Sequence, residues 1–96
     1  MFVVLVEFRL NEGSEAPFLE AVLRQARDSL EKEEHCRQFD VCVDAEDPST
    51  IILYELYDTR GDFDDHLDSD HFQNFDTHTK AMVATKAVRL LTQAES

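Results

Sequence analysis

Thr50-Ile51-Ile52-Leu53-Tyr54-Glu55-Leu56-Tyr57-Asp58 is a run of β-branched and aromatic residues that follows a polar Asp47-Pro48-Ser49 segment and reads as a strand. Alternation along it puts Ile52, Tyr54 and Leu56 on one side and Ile51, Leu53 and Tyr57 on the other, so neither side is polar enough to face water. Phe2-Val3-Val4-Leu5-Val6-Glu7-Phe8-Arg9 has the same character, with Phe2, Val4, Val6 and Phe8 on one side and Val3 and Leu5 on the other. Two such strands belong in the middle of a sheet with both faces covered.

Working outward, residues 37–44 alternate Phe39, Val41 and Val43 with Gln38, Asp40 and Cys42, giving a strand joined to 50–58 by a polar loop of hairpin length. Asn11-Glu12-Gly13-Ser14 is a turn. Ser14 serves as N-cap of a helix with Pro17 in its first turn, and Leu19, Val22, Leu23, Ala26 and Leu30 recur at helical spacing as its inner face, to about residue 33. Beyond the 50–58 strand, Thr59 and Asp62 have capping-box spacing and open a short helix to about residue 67. Ser69 or Asp70 restarts a longer one with Phe72, Phe75, Thr79, Met82 and Val83 inward. Residues 87–93 form the last strand, and 94–96 fray. The order βαββαβ predicts an α+β, ferredoxin-like domain over residues 1–96. Its first and third strands sit centrally in a four-stranded antiparallel sheet, with the helices on one face. The other face, too apolar for water, is expected to be covered by a second copy, giving a homodimer.

The chain has 96 residues, enough for one core and no more. Nine basic residues against 21 acidic ones leave a net charge of −12, which excludes nucleic acid and anionic membrane as partners because each would meet like charge. No apolar run approaches the ~18–20 residues of a bilayer span, and the start lacks a basic n-region. Cys36 and Cys42 fall on one strand, about 20 Å apart at ~3.3 Å per residue and beyond the ~7 Å reach of a disulfide. Two unpaired thiols fit a reducing, cytoplasmic location.

Chemistry concentrates in a few polar residues set among apolar ones. Glu7 and Glu55 interrupt strands, and neighbouring strands are expected to bring them to one face, near Arg9 or Arg89; Glu55, mid-strand, needs a partner or a raised pKa. His66 and His71 flank the break between the two helical segments, where side chains can enter the gap between helices and sheet and act as acid or base. Their five-residue separation is not the i, i+4 of a zinc helix, so no metal is expected; His35 and His78 read as surface residues. Phe39, Tyr54, Tyr57, Phe72 and Phe75 are candidates for one apolar substrate-binding pocket. There is no Gly-rich phosphate loop and no GxSxG, which leaves nucleotide binding and serine hydrolysis without a basis.

Val6-Glu7-Phe8, Phe39-Asp40-Val41, Leu53-Tyr54-Glu55-Leu56-Tyr57, His66 and Ser69-Asp70-His71-Phe72, in that order, resemble the antibiotic biosynthesis monooxygenase domain family across essentially the whole chain. The resemblance implies a dimeric ferredoxin-like α+β barrel. It also implies one of two activities: cofactor-free oxygenation of a quinol or phenolic compound, or isomerisation of a small phosphorylated dicarbonyl of the autoinducer-2 type. A haem-degrading branch relies on an Asn, a Trp and a His, and this chain has no Trp. His35 stands where relatives commonly carry Gly. On this reading His66 or His71 is the base, Glu55 orients the imidazole or serves as a second acid, and the aromatic residues clamp a planar small-molecule substrate without cofactor or metal. A non-catalytic dimer that binds a small molecule is the third reading.

Overall fold

Four strands, β1 (Phe2–Leu10), β2 (Cys36–Val43), β3 (Thr50–Tyr57) and β4 (Val83–Thr92), form one antiparallel sheet in the order β2-β3-β1-β4. The two strands that are apolar on both sides are therefore the central ones. Three helices, α1 (Glu15–Lys32), α2 (Arg60–Asp68) and α3 (Asp70–Thr79), complete the ferredoxin-like α+β fold, with a 3-10 turn at Lys80–Met82 leading into β4. The computed structural model describes residues 1–95; Ser96, the end of the expected frayed tail, lies outside them.

Register fixes which side chains share a face. Val4 pairs with Glu55, Val6 with Leu53 and Phe8 with Ile51 on one side; Leu5 pairs with Tyr54 and Glu7 with Ile52 on the other. The core gathers on the first side, where Val4, Val6, Phe8, Leu53 and Tyr57 pack against Phe18, Val22 and Ala26 of α1 and Phe63 of α2. Among the described residues no helix covers the second side, which carries Val3, Leu5, Ile52, Tyr54, Leu56 and Leu91.

Three expectations need correction. The inner face of α1 is Phe18, Val22, Gln25, Ala26 and Ser29, whereas Leu23 and Leu30 are 41% and 46% exposed. Both stripes have helical spacing, and the true one is disguised by the two polar residues it buries. Ser14 stands at the N-cap, but its side chain makes no cap bond. The last strand starts at Val83 rather than 87, because α3 ends at Thr79 and the 3-10 turn delivers Val83 directly to Leu10 of β1.

The α2–α3 break has a local cause. Thr59 and Asp62 form the expected capping box at the start of α2, with each residue's side chain accepting from the other's backbone N–H. At the far end Ser69 turns extended (ψ 148°), its hydroxyl donating to the His66 carbonyl at 2.7 Å and accepting from the Phe72 N–H at 3.2 Å. One residue thus ends α2 and caps α3. On an unbroken helix His66 and His71 would point about 140° apart; the break brings their rings to 6.0 Å between centroids.

Candidate functional site

Glu33, the residue after α1, reaches under this break. One of its carboxylate oxygens, Oε2, accepts from His66 Nδ1 at 2.7 Å and from His71 Nε2 at 2.5 Å. Burial opposes ionisation of Glu33, but the His66 hydrogen bond and charge, and then those of His71, outweigh it and hold the carboxyl below its ordinary value. An ionised Glu33 requires protons on both ring nitrogens that face it. In neutral His66 that leaves Nε2 with its lone pair, 4.0 Å from Glu55 Oε1. The same Glu55 oxygen accepts the Tyr57 hydroxyl at 2.6 Å. The groups thus run in a line: His71, Glu33, His66, Glu55, Tyr57.

This line joins two spaces. His71 borders an outer groove of about 500 Å³ between α1 and α3. His66 and Glu55 border an inner cavity of about 60 Å³, room for roughly two waters. The inner walls are mostly hydrocarbon: Phe39, Leu53, Phe63, Phe72 and Phe75 among them. His66 is 2% exposed, stacked on Phe63 at 18° between ring planes and 5.1 Å from the Phe72 ring centre.

Burial dominates the electrostatics. Glu55 is 3% exposed, and desolvation pushes its carboxyl above the ordinary value, against the Tyr57 hydrogen bond. Tyr57 is raised too, by its own burial and then by the Glu55 charge. Burial, followed by the charges of Glu33 and Glu55, pushes the Cys36 thiol up to about 12, so this free cysteine is inert as a nucleophile. Glu55→Gln tests the balance. A raised carboxyl loses stability as pH climbs from its unfolded value through its folded one. The Gln variant keeps an acceptor for Tyr57 without that loss, and Glu33, whose lowered value works the other way, is common to both proteins. Urea midpoints should therefore favour Glu55→Gln at pH 8, the gap closing toward pH 4; an equal gap at both values would contradict the burial cost.

Of the residues singled out from sequence, His66, His71 and Glu55 converge, and Phe39, Phe72 and Phe75 line the cavity. Tyr57 lies fully buried with its hydroxyl on Glu55. Tyr54 is displaced: it pairs with Leu5 on the helix-free side of the sheet, because strand alternation turns it away from Glu55. Glu7 and Glu55 are likewise on opposite sides, and among the described residues Glu7's one ion pair is with Arg9, at 3.6 Å. His35 and His78 are exposed as expected. Glu33, Gln25 and Phe63 were not foreseen. Glu33 sits in the run Glu31-Lys32-Glu33-Glu34, which looks like a solvated helix end.

Among the described residues, two groups of three donors could hold a cation. Ligand atoms of Glu33, His66 and His71 lie within 4.8 Å of one another, as do those of the more exposed His35, Asp58 and Asp62. The first is a two-nitrogen, one-oxygen set of a type that zinc or ferrous iron accepts, assembled by the helix break despite the five-residue spacing.

The Antibiotic biosynthesis monooxygenase family model matches residues 1–77. No curated protein matches the chain. Solved structures share its fold closely. A Nitrosomonas europaea protein, named for antibiotic biosynthesis monooxygenases, is 24% identical with a TM-score of 0.94, over 99% of this chain and 100% of its own. A Mycobacterium tuberculosis protein is 20% identical with a TM-score of 0.90, over 99% of this chain and 96% of its own. A Shewanella oneidensis protein is 22% identical with a TM-score of 0.88, over 96% and 89% respectively.

Proposed function

The chain belongs to the antibiotic biosynthesis monooxygenase family, and from that premise we propose that it is a cofactor-independent monooxygenase of a quinol or phenolic small molecule, with His66 as the base. One observation carries this reading: a buried imidazole with a free Nε2, held by an ionised carboxylate, opens onto an aromatic-walled cavity. His66 takes the phenolic proton, and the resulting phenolate passes one electron to dioxygen. The radical pair joins at a ring carbon, and the hydroperoxide loses water to give a quinone. One phenol and one dioxygen become one quinone and one water; the hydrogens of the broken O–H and ring C–H bonds end in the water. Apolar walls favour dissolved oxygen and keep bulk water from the anion. A substrate ring needs more room than the cavity's 60 Å³, and half-buried Phe72 and Phe75 on α3 are the wall that would have to yield.

The test is oxygen uptake across a panel of quinols and phenols with no flavin, haem or metal added. Uptake unaffected by dialysis against a chelator supports the reading. Activity lost to the chelator and restored by a divalent ion would reassign Glu33, His66 and His71 to a metal centre, and turnover that persists without oxygen would point to an isomerase.

The active species is a homodimer packed sheet to sheet. Leu5, Ile52, Tyr54 and Leu56, all partly exposed, support this, because a large apolar side chain fully removed from water gains about 1.5–3 kcal/mol. Light scattering at micromolar concentration should give twice 11.1 kDa, and Leu5→Glu should halve that mass. A wild-type protein that stays single at that dilution would refute the packing. The two free cysteines support a reducing, cytoplasmic location. No described helix is long and apolar enough to cross a membrane.

A further inference from the structure

The cavity carries a polar residue that the mechanism above does not use. Gln25 lies on the inner face of α1, between Val22 and Ala26, and is 3% exposed. Its side-chain Nε2 has no hydrogen-bond partner, the only such orphan among the described residues. An unmatched amide donor is costly to bury, and folded interiors rarely keep one. Leucine would fill the same place on the helix without that penalty. The side chain borders the cavity that holds Glu55 and His66.

A second donor borders the same cavity. Lys86 of β4 pairs with Phe8, and its ammonium lies 5.5 Å from the Phe8 ring centre and 5.8 Å from that of Phe72. Its charge is thus turned toward aromatic faces of the cavity wall. A base at one part of a small apolar chamber, with an orphan amide and a cation at another, is the arrangement a developing oxyanion needs.

Building on the proposed oxygenase, we infer that Gln25 and Lys86 form the oxyanion-binding part of the site, which takes a neutral phenol or enol and holds it as the anion once His66 has removed its proton. The substrate class narrows accordingly. With a net charge of −12, the protein repels ligands that arrive already charged. A phosphorylated or carboxylated compound would be slowed at the surface and would find one lysine, Lys86, exposed at the cavity's edge. A neutral molecule with one acidic hydroxyl meets neither obstacle.

The test is a binding measurement made without oxygen, so that it stands apart from turnover. 4-Nitrophenol, whose anion absorbs in the visible, is titrated into the intact protein alongside nitrobenzene, which has no acidic hydroxyl. Wild type should prefer the nitrophenolate, lowering the apparent pKa of the bound dye by about one unit, a tenfold preference. Gln25→Leu and Lys86→Met should each weaken nitrophenolate binding about tenfold while nitrobenzene binding stays within about twofold. Gln25→Leu should also unfold at a higher temperature than wild type, since it removes the orphan. No phenolate preference in wild type, unchanged nitrophenolate affinity in Gln25→Leu, or a lower midpoint for that variant would each overturn the assignment. Failure of the oxygenase reading is separable: dye binding that responds to both substitutions, with no oxygen uptake on any phenol, would leave the anion site standing and remove only the reaction.

Discussion

On the proposed reaction, His66→Asn should lower phenol-dependent oxygen uptake by about 10²–10⁴-fold, the usual contribution of a positioned base, without unfolding the protein. Asparagine sets an amide N–H close to where Nδ1 stood and preserves a donor for Glu33. What it cannot do is accept a proton at the place of Nε2, which faces Glu55 across 4.0 Å. Steady-state oxygen consumption with circular dichroism on the same samples separates the two effects; activity within about threefold of wild type would remove His66 from the reaction. Glu33→Gln is a milder change of a different kind. Glu33 fixes the protonated nitrogen of His66 without touching the cavity, and losing such an orienting carboxylate typically costs about 10–100-fold. Its signature is a fall in kcat with KM little changed, because Glu33 orients the imidazole without lining the cavity. A loss of folded protein large enough to account for the fall would make Glu33 merely structural.

Phe18→Ala removes about 3–5 kcal/mol of stability, a large share of the 5–15 kcal/mol that a domain of this size has. Phe18 is fully buried, with its ring 4.9 Å from that of Phe8 and 5.9 Å from that of Phe75, so truncation opens a hole between α1, the sheet and α3. Leu23→Ala and Leu30→Ala, on the exposed side of the same helix, should stay within about 1 kcal/mol. Urea unfolding at one fixed protein concentration makes the comparison, since association would otherwise shift the midpoints. Equal losses at Phe18 and Leu23 would mean that α1 is turned the other way.

That helix shows where the sequence can be read and where it cannot. The strands declared themselves because Phe2–Leu10 and Thr50–Tyr57 are apolar in both parities, and only central strands tolerate that. On α1, two stripes compete, and the buried one contains Gln25 and Ser29, which a hydrophobic count assigns to solvent. Ser29 is legible only afterwards, through its hydroxyl donating back to the Gln25 carbonyl. The site divides in the same way. His66, His71 and Glu55 stand out because each is a titratable group in an apolar setting. Glu33 does not, since its neighbours in sequence are charged and only the crossover from α1 to β2 carries it beneath the histidines. Tyr54 was separable from Glu55 by alternation alone, and grouping the two in one pocket overlooked the pleat.

The Ser69 interruption carries a last implication. His71 and the half-buried aromatics Phe72 and Phe75 share α3, whereas His66 belongs to α2. Any shift of α3 therefore moves the cavity wall and one of Glu33's two partners together, while the other, His66, stays with α2: two levers hung from a single carboxylate.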